Sequence, residues 1–167
     1  MKYAWMILAL AGIAPAMTQA ATPDSPASNS QVEALRAKNR ATVERFFQLP
    51  IGNERAALYA DDGVKELVEV DWKWEGKAAI QANTDGNVAM FPGWRWFDTR
   101  IDATTDPNKF WVETDGAGKH VIAPGSNPVP NGAHYVISFE MRDGKIARMR
   151  EFRIPVKREC QTLALTC

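Results

Sequence analysis

The chain has 167 residues, with 20 basic and 20 acidic side chains and a formal net charge of zero. A chain of this length is expected to fold as one domain of ordinary size. Its balanced charge gives it no electrostatic reason to bind nucleic acid or an anionic membrane surface, so we exclude those two classes of partner.

Residues 1–20 have the pattern of a signal peptide. Lys2 supplies a short positive region, Tyr3–Ala16 is almost wholly apolar, and the triplet TQA at 18–20 has small residues at the two positions that a signal peptidase inspects. The apolar run is shorter than the roughly 20 residues of a transmembrane helix. We therefore expect cleavage before Ala21, a periplasmic or secreted mature protein and no stable membrane insertion, with an uncleaved anchor as the alternative.

The rest of the chain divides into a leader, a domain and a tail. Residues 21–30 (ATPDSPASNS) are small and polar and predict a flexible leader, residues 31–155 predict the folded domain, and residues 156–167 a C-terminal tail. The tail carries Cys160 and Cys167, which an oxidising compartment could join in a disulfide. Two free thiols are the alternative, and we expect neither a catalytic role nor a zinc site for them.

Two helices are predicted at the start of the domain. Ser30 and Glu33 match a capping box, which would open an amphipathic helix over Gln31–Leu49. A short helix is predicted over Asn53–Tyr59 and a turn at residues 61–63 (DDG).

The following segments alternate between strand and helix patterns. Val64–Trp74 predicts a strand or a hairpin, and Lys77–Ala89 a weaker helix that residues 84–86 (TDG) interrupt. The remainder predicts strands over Trp94–Ala103, Phe110–Thr114, Lys119–Ile122, Ala133–Arg142 and Lys145–Ile154.

Turn residues separate these strands. Asp143-Gly144 is typical of a hairpin, and a β-turn is expected at residues 115–118 (DGAG). Helices followed by mostly antiparallel strands predict an α+β fold. A curved sheet wrapped around the N-terminal helix would form a cone with a pocket at its open end.

Five stretches of the chain have an order and spacing known from one protein family. They are LRAKNRATVERFF (35–47), FPGWRWF (91–97), DPNKFWVETDGAGK (106–119), AHYVISFE (133–140) and DGKIARMREF (143–152). In these stretches the chain resembles the phenazine-biosynthesis PhzA/PhzB family of the NTF2-like superfamily, whose relatives include SnoaL-like cyclases, ketosteroid isomerase and scytalone dehydratase. The resemblance implies an NTF2-like cone, a homodimer and a pocket that promotes condensation of two aminocyclohexenone carboxylates.

The resemblance also implies roles for individual residues. Glu151, in the triplet REF, matches the glutamate that serves the family as acid and base. Asn83 and Asn87 stand where the family has a histidine and a serine, and Arg55 corresponds to an arginine that reaches across the dimer. Asparagine cannot replace a histidine that titrates near neutrality, and phenazine assembly uses cytoplasmic intermediates. The resemblance therefore supports the family's fold for this chain more strongly than the family's reaction.

The orientation of Glu151 depends on how its strand alternates. One face would carry Ala147, Met149 and Glu151, and the other Arg148, Arg150 and Phe152. If the first face lines the cone, burial would raise the pKa of Glu151 towards neutrality and Met149 would contact the ligand. The opposite orientation would place Glu151 outside beside an arginine. The resemblance favours the pocket.

Aromatic and histidine residues add further candidates. Trp94 and Trp96 share one face of a predicted strand, where they would form either an aromatic wall for a planar ligand or part of the core and a dimer face. His134 matches a family histidine and is either a pocket residue or structural, whereas we expect His120 to be exposed. The two histidines lack tight ligand spacing, so no metal site is predicted.

Three functions remain open. The chain is a cofactor-independent acid/base lyase, isomerase or imine-forming enzyme acting on a small cyclic metabolite, or a non-catalytic periplasmic small-molecule-binding module. The third possibility is a dimerisation module in which the protein's own side chains fill the pocket.

Overall fold

The structure of the protein, a computed structural model, describes residues 28–154. The predicted signal peptide, most of the leader, and the tail with its two cysteines lie outside the described residues. The helices are α1 (Asn29–Gln48), α2 (Asn53–Ala56) and α3 (Lys77–Met90). The strands are β1 (Tyr59–Leu67), β2 (Trp72–Glu75), β3 (Arg95–Ala103), β4 (Lys109–His120), β5 (Val129–Arg142) and β6 (Lys145–Ile154), and a 3-10 turn at Val68–Val70 joins β1 to β2.

The strands form one sheet in the order β2-β1-β6-β5-β4-β3. Its pairs are antiparallel except β1–β6, which is parallel. Helix α1 buries Val43 and Phe46 against the inner face of this sheet, where the Phe46 and Phe139 rings meet edge-to-face with centroids 5.5 Å apart. The predicted α+β fold, a mostly antiparallel curved sheet around an N-terminal helix, is confirmed. No helix between residues 28 and 154 has the length and apolar character needed to cross a membrane.

Helix α1 begins earlier than the sequence pattern predicts. Ser28 is its N-cap: the Ser28 Oγ accepts a hydrogen bond from the backbone N–H of Gln31, and the Gln31 Oε1 accepts one from the backbone N–H of Ser28. The capping box predicted at Ser30 and Glu33 is therefore wrong. Both pairs satisfy the same spacing, and the local sequence could not distinguish them.

Several predicted breaks are continuous structure. Residues 61–63 lie inside β1, where the pairing with β6 shifts its register between Tyr59 and Val64. The short helix α2 ends at Ala56, because Tyr59 already belongs to β1. Gly86 lies within an uninterrupted α3. Backbone pairing and packing override these local turn signals.

The predicted turn at residues 115–118 is also wrong, because this segment is the middle of β4 and pairs with both β3 and β5. Gly116 is required there by packing. A Cβ at this position would lie 2.5 Å from Cζ2 of Trp94 and 2.9 Å from Cζ3 of Trp96. The two indole rings thus lie directly on the strand backbone.

Candidate functional site

A cavity of about 520 Å³ opens between α2, α3 and the inner face of the sheet. Aromatic side chains contribute much of its wall, namely Phe46, Tyr59, Trp72, Trp74, Phe91, Trp94, Trp96 and Tyr135. Ionisable side chains also line it, namely Arg55, Lys65, Glu69, His120, Glu151 and Arg153. A concave, largely apolar site with a few polar groups is typical of a small-molecule pocket.

Glu151 lies on the inner face of β6 and lines the cavity. Its neighbours across the sheet are Leu67 on β1 and Ile137 on β5, and the buried Ile137 identifies this face as the inner one. Burial raises the pKa of the Glu151 carboxyl, with a further rise from Glu69, whereas Lys65 opposes the shift. A carboxyl group in this state can exchange a proton nearer to neutral pH than an exposed glutamate.

Two arginines beside Glu151 in the sequence lie on the opposite face of β6. Arg148 Nη2 is 2.6 Å from Glu66 Oε1, and Arg150 Nε is 3.2 Å from Glu66 Oε2. Glu66 thus holds both guanidinium groups on the outer face, away from Glu151. The strand alternation predicted this separation, although a register shift between β5 and β6 near Ala147 places Ile146, rather than Ala147, on the inner face.

Lys65 is a cavity residue that sequence reasoning missed. Its Nζ donates a hydrogen bond to Asn83 Oδ1 at 2.8 Å and lies 5.2 Å from the centroid of the Trp74 ring. Burial lowers the pKa of Lys65, Glu151 raises it and Arg55 lowers it further. Lys65 and Leu67 lie in the predicted strand Val64–Trp74 and share one face by alternation, but the sequence did not show that this face lines the cavity.

Arg55 also lines the cavity, but it is anchored within its own chain. Its Nε and Nη2 both donate to the backbone oxygen of Leu49, at 3.0 and 2.6 Å, and the guanidinium lies 5.0 Å from the centroid of Phe46. Burial lowers the pKa of Arg55 to about 10, although Tyr59 and Glu151 oppose the shift. The side chain therefore lines the cavity of its own chain, and the contact across a dimer that the resemblance implied stays a prediction.

Trp94 and Trp96 form one wall of the cavity. Their rings meet edge-to-face with centroids 5.7 Å apart, and Trp96 also packs on Tyr135 at 4.9 Å. Both indoles also contact the hydrophobic core, so the same rings belong to the core and to the cavity wall, and a planar ligand against them stays a prediction. The indole N–H of Trp96 is buried and has no hydrogen-bond partner within residues 28–154.

Asn83 and Asn87 line the cavity from successive turns of α3. Asn83 is engaged by Lys65. Both amides can donate and accept hydrogen bonds, but neither can carry a proton between substrate and solvent at neutral pH.

Two predicted ligand-binding residues lie outside the cavity lining. Met149 is fully buried beneath Tyr59, whose hydroxyl donates to its Sδ at 3.1 Å. His134 lies on the outer face of β5, because its neighbours Ala133 and Tyr135 point inward. Its Nδ1 is 2.6 Å from Asp115 Oδ1. These two placements correct the sequence-based expectation.

His120 was expected to be exposed, yet it lines the cavity from the end of β4. Its ring stacks on that of Phe91 with centroids 4.8 Å apart. The error follows from splitting β4 at the supposed glycine turn. Among the described residues no group of three or more His, Cys, Asp or Glu side chains is placed to hold a metal ion.

Comparison with known proteins identifies the family. The sequence pattern of the family "Phenazine biosynthesis protein A/B" matches residues 22–166. The chain is 36% identical over 140 residues to the phenazine biosynthesis protein PhzA1 of Pseudomonas aeruginosa, covering 76% of this chain and 82% of that protein. It is 38% identical over 125 residues to PhzB of Pseudomonas fluorescens, covering 71% and 76% respectively.

Solved structures agree with the sequence comparisons. The crystal structure of a phenazine biosynthesis-related protein from Pseudomonas aeruginosa superposes with a TM-score of 0.71 and 32% identity, covering 84% of this chain and 94% of that one. A protein from Catenulispora acidiphila with a ketosteroid isomerase-like fold superposes with a TM-score of 0.58 at 14% identity, covering 77% and 93%, which supports the fold alone. With the sequence match extending over most of its length, the chain belongs to the phenazine biosynthesis protein A/B family, in the NTF2-like fold.

Proposed function

We propose that the protein binds a small cyclic metabolite in the cavity and transfers protons on it without a cofactor, with Glu151 as the acid and base. The observation that carries the proposal is the position of Glu151: its carboxyl faces an aromatic-lined cavity, and burial raises its pKa. A general acid or base is most effective when its pKa lies near the working pH.

The surroundings of Glu151 support a ring-shaped ligand. The edge-to-face indoles of Trp94 and Trp96 offer flat apolar surface. The amide of Asn87, which lines the cavity, can orient polar substituents. The names of the relatives place them in phenazine biosynthesis, which involves ring compounds of this kind.

The main alternative is a binding module that catalyses no reaction. It is favoured by one observation: Asn83 stands where the family resemblance places a histidine, and its side-chain oxygen is occupied by Lys65. The α3 wall therefore offers no proton carrier at this position.

We also propose that the protein acts outside the cytoplasm. The apolar run and the small residues at 18–20 support export. The family match covers residues 22–166, so residues 1–20 lie outside it, which supports the proposed cleavage before Ala21. An exported site would meet a different pool of metabolites from a cytoplasmic biosynthetic enzyme.

We propose in addition that the protein is a homodimer through the outer face of its sheet. On that face the Trp111 side chain is 47% exposed, and its ring lies 6.5 Å from that of Phe152. Arg150 lies 5.5 Å from the Phe152 centroid. Exposed aromatic residues beside arginine are typical of protein interfaces.

The test of proton transfer uses isomerisation of cyclohex-3-en-1-one to cyclohex-2-en-1-one, followed by the ultraviolet absorbance of the conjugated product. Glu151 would remove a proton from the carbon between the carbonyl and the double bond and return it at the far end of that bond. We expect Glu151→Gln to lower the rate by about 10²–10⁴-fold, the usual contribution of general acid–base catalysis.

The matched control is Glu140→Gln, which removes an exposed carboxylate from the outer face of β5 and should leave the rate unchanged. Calorimetric titration with cyclohex-2-en-1-one measures binding separately. Binding without turnover in the wild type would favour the binding module. Equal rates for wild type and Glu151→Gln would refute the role of Glu151.

A further inference from the structure

Lys65 differs from its lysine neighbours in the sheet region. Lys73 and Lys77 are ion-paired with Glu75 and Asp61 respectively. Within residues 28–154, no carboxylate oxygen lies within 4.0 Å of the Lys65 Nζ. The Lys65 side chain lines the cavity instead, and its Nζ donates a hydrogen bond to a neutral amide oxygen.

The environment of Lys65 favours the neutral amine. Burial lowers its pKa and the nearby Arg55 guanidinium lowers it further, while Glu151 partly offsets both. A lysine that is desolvated beside another cation is a recognised nucleophile for carbonyl compounds, because only its neutral form has a free lone pair.

Lys65 and Glu151 come from adjacent parallel strands, with their side chains directed to the same side of the sheet. Lys65 pairs with Met149, and Leu67, two residues later, pairs with Glu151. The cavity therefore presents an amine and a carboxyl group with a raised pKa to one ligand. Aromatic side chains make up much of the cavity wall around this pair.

We propose that Lys65 forms an imine with a cyclic ketone bound in the cavity, so that it is a second catalytic residue beside Glu151. The inference rests on the proposed function and narrows its ligand to a ring that carries a carbonyl group. The cavity and the carboxyl group then have distinct tasks: burial, with a smaller contribution from Arg55, favours the neutral amine of Lys65, and Glu151 moves protons.

The reaction needs no further reagent. The Nζ lone pair forms a bond to the carbonyl carbon, and one amine proton moves to the carbonyl oxygen to give a carbinolamine. The Glu151 carboxyl protonates the hydroxyl group, which leaves as water, so that an iminium ion and a carboxylate remain. The carboxylate then removes a proton from the carbon next to the iminium carbon, and the electrons of that C–H bond are drawn towards the positive nitrogen.

The experiment traps the iminium ion in the full chain. The protein is incubated with cyclohexanone and sodium cyanoborohydride at pH 7, and peptide mapping by mass spectrometry locates the cyclohexyl groups. We expect Lys65 to be modified several times faster than Lys73, which lies exposed on the neighbouring strand β2. Modification of Lys65 no faster than that of Lys73 would overturn the inference.

Two variants and one binding measurement complete the design. Lys65→Arg keeps a cation beside Trp74 but should abolish the fast adduct, whereas Lys73→Arg should leave it unchanged. A fast adduct that persists in Lys65→Arg would place the reactive amine elsewhere and refute the assignment. Calorimetric titration with cyclohexanone alone separates the imine proposal from the proposed function. Binding of cyclohexanone without a Lys65 adduct would refute the imine and leave the proposed function standing. Absence of binding would refute both.

Discussion

Replacing Gly116 by alanine should destabilise the domain and deform the cavity wall. The added Cβ would lie 2.5 Å from Trp94 and 2.9 Å from Trp96, well inside van der Waals contact. The Trp96 ring cannot simply turn away, because Phe47 packs on it at 5.7 Å and Tyr135 at 4.9 Å. Forcing one methyl group into such packing typically costs about 1–3 kcal/mol, which is the loss we expect in the free energy of unfolding.

Urea unfolding followed by tryptophan fluorescence and circular dichroism measures this loss. Gly86→Ala is the matched control, because a Cβ at Gly86 meets no atom within 4 Å and the residue lies inside helix α3. That variant should be stabilised by about 0.5–1 kcal/mol, the usual difference between glycine and alanine in a helix. The same chemical change should therefore have opposite signs at the two sites.

Ligand binding in the cavity should change together with the stability of the domain. Displacement of the two indoles by Gly116→Ala should weaken binding of cyclohex-2-en-1-one in a calorimetric titration, whereas Gly86→Ala should leave binding unchanged. A Gly116→Ala protein as stable as the wild type, with unaltered ligand affinity, would refute the close packing of Trp94 and Trp96 on β4.

Four further outcomes are expected. Because burial raises the pKa of Glu151 above its unfolded value of about 4.3, its ionisation costs stability as pH rises from that value through the folded-state pKa. In urea unfolding, Glu151→Gln should thus be at least as stable as the wild type at pH 8. Any gain in stability should disappear below about pH 4, where the wild-type carboxyl is protonated in both the folded and the unfolded state. Clear destabilisation of the variant at pH 8 would contradict this reasoning. Sedimentation should show a dimer that Phe152→Glu weakens. A wild-type monomer at high micromolar concentration would refute the proposed homodimer. N-terminal sequencing of native protein should begin near Ala21, not at Met1. Intact-mass analysis should show two hydrogens gained on reduction if Cys160 and Cys167 are joined, as we expect of protein from an oxidising compartment.

The sequence predicted the order of helices and strands well where side-chain periodicity is strong. The bounds of β6 agree with the prediction, and Asp143-Gly144 forms the tight connection between β5 and β6. Asp143 has a φ of 54° and Gly144 one of 78°, values that a hairpin turn of this kind requires. Such signals are readable because the physical cause lies within a few neighbouring residues.

Glycine-containing stretches were misread for the opposite reason. At residues 115–118, Gly116 leaves space for the indole rings of Trp94 and Trp96 at the start of β3. At residues 61–63, β1 continues through an irregular pairing with β6. Neither partner is adjacent in sequence. A pattern that marks a turn locally thus marks a close approach in the folded chain.

The candidate site likewise contains some features that the sequence predicted and one that it could not predict. Sequence alternation separated Glu151 from Arg148, and the resemblance directed attention to Asn83 and Asn87. The sequence could not reveal that Lys65 accompanies Glu151 in the cavity, because that depends on the parallel register of β1 and β6.

By itself, the sequence determined the fold class, the family and the identity of one carboxyl group worth testing. Only the tertiary structure decided which ionisable groups share the cavity, placing His120 in its wall and His134 outside it. The physical reason is that a side chain's face is set by local alternation, whereas its neighbours, and through them its pKa, are set by strand pairing across long separations in the chain.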